Sequence, residues 1–123
     1  MTSRERVKRA IHFQGVDRMP HYLLGLDRMF VAYYEEPEHL DAAVGGKLAF
    51  WCPVDIQQTM IHGSLDDIRA YAKRMIATLG RHNGGLVSMA YSTPETIRHT
   101  SEKIAAMCAA FREYGVYCGG GPC

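Results

Sequence analysis

Long apolar runs are missing from this sequence. None approaches the roughly 20 residues that a bilayer-spanning helix needs, so no membrane partner is expected. Charge of one sign is missing too: lysine and arginine total 14 against 13 aspartates and glutamates, leaving a net +1. That balance supplies neither a broad basic field for nucleic acid nor an acidic tail. The opening Met1-Thr2-Ser3-Arg4-Glu5-Arg6 lacks the apolar core of a secretory signal, and a cytoplasmic protein is expected. Neither G-x-x-x-x-G-K nor G-x-S-x-G occurs, which removes the common phosphate loop and nucleophile elbow. There is no His-x-Cys pair and no Cys-x2-Cys, and the histidines do not recur at ligand spacing, so neither metal nor cofactor is expected. The four cysteines, Cys52, Cys108, Cys118 and Cys123, are expected as free thiols in a reducing compartment, Cys108 as a buried small hydrophobe.

What is present is enough apolar material, 47% of 123 residues, for one globular core. Thr2 to Glu5 has the T-x-x-E form of a capping box, and Val7, Ala10 and Ile11 follow at helical spacing. Gly15 and Pro20 then break the helix and lead into something extended. The segment Leu26 to Tyr34 is read as helical, and Pro37 suits the first position of another short helix ending before Gly45-Gly46. Leu48 to Phe50 with Trp51 is a brief apolar run, a strand buried on both faces. Ser64 caps a helix to Gly80 with Asp66 and Asp67 in its first turn and an apolar stripe from Ile68 to Leu79. Gly85 to Ala90 is the next strand, and Thr100 or Ser101 opens a helix carrying Ile104, Met107, Cys108 and Phe111 before Gly115. Strands alternating with helices of this length call for parallel βαβ pairing. The last six residues, 118–123, are glycine-rich and read as a flexible tail.

The opening helix with Asp17-Arg18-Met19-Pro20 resembles the start of the uroporphyrinogen decarboxylase-like family. Tyr33-Tyr34-Glu35-Glu36-Pro37-Glu38 is similar to its D-P-E helix start. From Gly46 to Gly115, the features Phe50-Trp51, Val54-Asp55, His62-Gly63, Gly84-Gly85 and Ala110-Phe111-Arg112-Glu113-Tyr114-Gly115 resemble that family's final two barrel units. The resemblance implies an α/β fold, a partial (β/α) TIM barrel made of the family's N-terminal helix and its last two strand-helix units. Residues 1–117 would form one internally truncated domain. A complete barrel takes eight strands and about 250 residues, so the middle is absent and open strand edges are expected to drive homo-oligomerisation.

The family's chemistry is decarboxylation or corrinoid-dependent methyl transfer on a small-molecule substrate. In a barrel, residues at the carboxyl ends of strands face the active site, which singles out Asp55 and Tyr91. Asp55 would hydrogen-bond a substrate, orient a base, or merely cap a loop. Tyr91 would donate its hydroxyl into a pocket or simply pack. His62, in a loop on that side, is a general acid or base candidate or an exposed loop histidine. The resemblance assigns substrate binding to Arg18 and Trp51. The arginine cluster, the His-x-Cys pair and the late histidine of the family are missing, which leaves two readings: an impaired enzyme of this class, or a catalytically inert, self-associating α/β remnant.

Overall fold

The computed structural model describes residues 1–22, 36–90 and 93–123. The expected helix over Leu26 to Tyr34 lies outside the described residues, as does Tyr91. The strongest local signals produce the strongest elements. Ser64 accepts from the Asp67 amide at 3.1 Å while the Asp67 carboxylate accepts from the Ser64 amide at 2.8 Å, a reciprocal capping box that starts α4 (Leu65–Leu79). Its stripe, Ile68, Ala72, Met75, Ile76 and Leu79, is buried. Thr100 caps α5 (Ser101–Tyr114) by accepting from the Lys103 amide, and Met107, Cys108, Ala110 and Phe111 form its buried face against α4. Pro37 occupies the first turn of α2 (Pro37–Val44), which packs on the other side of α4.

Three strands run parallel: β1 (His21–Tyr22), β2 (Phe50–Cys52) and β3 (Leu86–Met89). Their spatial order is β1-β3-β2, with His21 opposite Ser88 on one side of β3, and Phe50 opposite Leu86 and Cys52 opposite Ser88 on the other. Being central, β3 is buried at all four positions, Ser88 included. Side chains alternate across the pleat, so Leu86 joins Cys52 in the helix-facing core while Val87, buried but outside that cluster, shares the opposite face with Trp51. The expected strand from Leu48 is shifted: it begins at Phe50, and Leu48 is 58% exposed.

The first helix, α1 (Ser3–Ile11), plugs the amino end of β3. The Gly85 amide donates to the Ala10 carbonyl at 2.8 Å, the Gly15 amide to the Asn83 carbonyl at 2.8 Å, and the Asn83 side chain to the Phe13 carbonyl at 2.9 Å. Arg6 grips Asp17 with two hydrogen bonds at 2.6 and 2.8 Å, closing the turn toward β1. Of the expected stripe only Ala10 is buried, and Ile11 is exposed, because the helix touches the sheet with its last turn alone.

Two expectations for the C-terminus are corrected. The residues read as a flexible tail form an antiparallel hairpin of β4 (Tyr117–Cys118) and β5 (Gly121–Pro122), and Cys118 and Cys123 are paired as a disulfide rather than free. Gly119 and Gly120 have φ of +62° and +97°, the positive pair that a type I′ hairpin turn requires. Tyr117 anchors the hairpin: its side chain is buried and its hydroxyl donates to the Gly80 carbonyl at 2.8 Å. Cys52 and Cys108 are buried free thiols. Among the described residues no helix is long and apolar enough to cross a membrane.

Charge pairs tie the helices to the loops beneath the sheet. Asp41 on α2, its side chain only 6% exposed, accepts from Arg81 and pairs with the His82 ring. Burial raises the pKa of this carboxyl, but the His82 and Arg81 hydrogen bonds outweigh burial and hold it below the ordinary carboxylate range. The Arg6 hydrogen bonds lower Asp17 likewise. A depressed folded-state pKa adds stability that is complete above the unfolded value near 4 and lost as pH falls through the folded one. Denaturant midpoints are therefore expected to drop steeply below about pH 4, and Asp41→Asn, measured by urea titration at several pH values, is expected to flatten that drop.

Candidate functional site

The carboxyl ends of parallel strands are where α/β proteins place their ligands, because the loops there converge. Here β2 leads through Pro53 and Val54 to Asp55, and the next turn becomes the four-residue helix α3 (Thr59–His62). Asp55 Oδ1 accepts from the Gln57 and Gln58 amides at 3.1 and 3.4 Å, and Oδ2 accepts from the Thr59 amide and hydroxyl at 3.1 and 3.2 Å. The carboxylate is thus committed to organising the start of α3. Asp55→Ala is expected to cost about 1–2 kcal/mol, the usual loss for a helix cap, read as a lower urea midpoint.

Beside α3 lies an open groove of about 500 Å³, with Thr59, His62 and Gly63 on one wall and Asp67, Tyr71 and Arg74 of α4 on the other. His62 is exposed at its rim. Tyr71 is half-buried; burial first, then the nearby Asp55 and Glu36 carboxylates, push its hydroxyl up to about 12, so it is a hydrogen-bond donor throughout the physiological range. Arg74 lies over the Tyr71 ring, 5.7 Å from its centroid. Its guanidinium donates to Glu38 Oε1 at 2.7 Å and also bonds Glu36, so its position is fixed from outside the groove. The groove can hold a small polar molecule against an aromatic ring, with His62 available for proton transfer and Tyr71 as donor.

Two ties hold this corner to the segment after β3. The buried His99 places Nε2 3.3 Å from the Ile56 carbonyl, and Lys103 Nζ donates to the Ile61 carbonyl at 2.6 Å. Burial lowers the His99 pKa, the Ile56 contact opposes that, and the Lys103 charge adds to the lowering. His99 is therefore biased toward the neutral ring.

Asp55 caps the start of α3, whereas His62, expected in a loop, is the last residue of that helix, and of the two His62 lines the groove. Arg18 is elsewhere: it precedes β1, its backbone bridged to Val116 and its side chain exposed, at the amino end of the sheet. Trp51 sits mid-strand in β2, partly buried on the face away from α4 and α5. Tyr91 lies outside the described residues. Among the described residues no group of three or more His, Cys, Asp or Glu side chains could hold a metal ion. Sequence reasoning missed Tyr71 and Arg74 as groove residues and His99 and Lys103 as its supports. The i, i+3 spacing of Tyr71 and Arg74, which places an aromatic and a cation side by side on one helix face, was the available signal. No family model, no curated protein and no solved structure matches the chain.

Proposed function

We propose that this chain is a sector of a uroporphyrinogen decarboxylase-like (β/α) barrel, spanning the seam where the last strand of such a barrel meets the first. The strand order carries the reading. In a closed eight-stranded barrel the last strand lies between the penultimate and the first, all parallel. If β2 and β3 stand for the last two strands and β1 for the first, that order is β1-β3-β2, the order seen here. The placement of α1 at the amino end of β3 is in keeping with it.

The site residues favour an assembly module over a self-sufficient enzyme. Asp55 is occupied as a cap, and Arg18 stands at the opposite end of the sheet from His62. Decarboxylase or corrinoid-dependent methyltransferase activity would require a further copy or partner to wall in the groove beside His62. The purified chain, assayed for carbon dioxide release from a carboxylated tetrapyrrole and for methyl transfer to a corrinoid, is expected to give no turnover. Turnover that Asp55→Ala and Tyr91→Phe abolish would overturn the module reading in favour of the enzyme.

A further inference from the structure

We propose that the Cys118–Cys123 disulfide is a thiol–disulfide exchange site that takes a small dithiol as co-substrate, and that its reduction releases residues 119–123 from α4 and α5. This inference is independent of the barrel reading.

The two sulfurs belong to exposed residues, whereas Cys52 and Cys108 are buried, so exchange chemistry in this chain has one accessible address. Burial also pushes the Cys52 thiol up to about 12 and raises Cys108, which keeps both protonated and unreactive. The disulfide ties Cys118, which ends β4, to Cys123, which follows β5, and so closes a hairpin of two two-residue strands across its Gly119-Gly120 turn. A hairpin that short is marginal by itself, so with β4 held by Tyr117 the covalent link decides whether residues 119–123 stay folded back on it. Pro122 and Cys123 form one wall of a cavity of about 130 Å³ whose other walls are Lys73, Ile76, Glu113 and Tyr114 of α4 and α5. Opening the link therefore uncovers a defined apolar and aromatic surface. Tyr117 remains fastened by its bonds to Gly80 and Asp17, which confines the change to the last residues.

The cavity also sets the direction of exchange. Lys73, whose ammonium lies over the Tyr114 ring, lines the cavity together with Cys123, and the Glu113 carboxylate on the same wall is paired with Arg69, so Cys123 is the sulfur that has a cation on its side of the cavity. A dithiol thiolate attacks Cys118 Sγ, the sulfur–sulfur bond breaks, and Cys123 leaves as the thiolate. The second thiol of the reductant then closes its own disulfide and displaces Cys118. Two electrons pass from the dithiol to the cysteine pair, and the two dithiol protons end on Cys118 and Cys123.

The test uses the full chain, dithiothreitol as the dithiol, alkylation with mass spectrometry, and amide hydrogen exchange. Without reductant, Cys118 and Cys123 are expected to resist alkylation. With millimolar dithiothreitol in native buffer, both are expected to react. The amide of Cys123, which donates to the Val116 carbonyl at 2.8 Å, should then exchange at least about tenfold faster while Leu86 to Met89 stay protected. Cys123→Ser should show the fast tail in either condition, and Lys73→Gln should slow reduction several-fold. Three results would each overturn the proposal: native alkylation of both cysteines before any reductant, reduction only once the whole chain is unfolded, or tail exchange unchanged by reduction. An unaltered reduction rate in Lys73→Gln overturns Cys123 as the leaving thiol.

Discussion

Phe111→Ala is expected to destabilise the fold by about 3–5 kcal/mol, read as a large fall in the urea midpoint at an unchanged slope. The side chain is 1% exposed and belongs to the core cluster that joins α5 to Met75, Ile76 and Leu79 of α4 and to Leu86 of β3. Truncation removes a ring from a close-packed interior and leaves a cavity that the neighbours fill only in part. A domain of this size has only about 5–15 kcal/mol in total, so the variant is expected to be partly unfolded near body temperature. The companion Leu48→Ala, at a side chain 58% exposed, is expected within about 0.5 kcal/mol of the parent. A small effect at Phe111 would mean that α5 does not pack its buried face on α4 as described.

Gly84→Ala is expected to cost about 2–5 kcal/mol, combining backbone strain with a forced contact. Gly84 has φ of +132°, a region that a residue with a Cβ rarely enters. A Cβ there would also meet the Ala10 carbonyl oxygen at 2.9 Å and the Ala10 Cα at 3.0 Å. Those are backbone atoms at the end of α1 and cannot swing aside as a side chain can. Relief requires moving α1 away from β3, so the variant should show loss of amide protection in α1 before any loss in α4. Equal protection in both helices would show that α1 does not rest on the Gly84 backbone.

The helices were legible because each announces its own ends. Ser64 with Asp67, Thr100 before Ser101, Pro37 and the closing glycines are local signals, and the apolar stripe of α4 runs for about three turns and that of α5 for about two. The central strand was legible for a related reason, since Leu86 to Met89 is buried on both faces and needs no alternation to read. The mixed helix-and-strand class follows from those elements alone. The hairpin at 117–122 was not legible, because glycine-rich composition argues for flexibility unless something distant fixes the chain. What fixes it is Tyr117 reaching Gly80, a contact between residues 37 positions apart that no local pattern announces.

The site divides in the same way. Asp55 follows β2 on its carboxyl side as expected, but His62, expected in a loop, is the last residue of α3. The role of Asp55 was not legible, since a carboxylate that binds substrate and one that accepts from Gln57, Gln58 and Thr59 look alike until the turn is folded. Tyr71 falls within the α4 stripe and read as core. It lies at the edge of that stripe, half-buried beneath Arg74, and so faces the groove. Arg18 was placed by resemblance to an entry motif, and the folded chain puts that motif at the amino end of the sheet.

On the reading proposed above, this chain is a barrel sector that completes itself with further copies. Light scattering coupled to size-exclusion chromatography tests that claim directly, over a wide range of loading concentrations. It predicts a folded species at a multiple of the 13.8 kDa chain mass, held together even at the lowest loading that can be detected. A well-folded species at the mass of one chain across the whole range would contradict it.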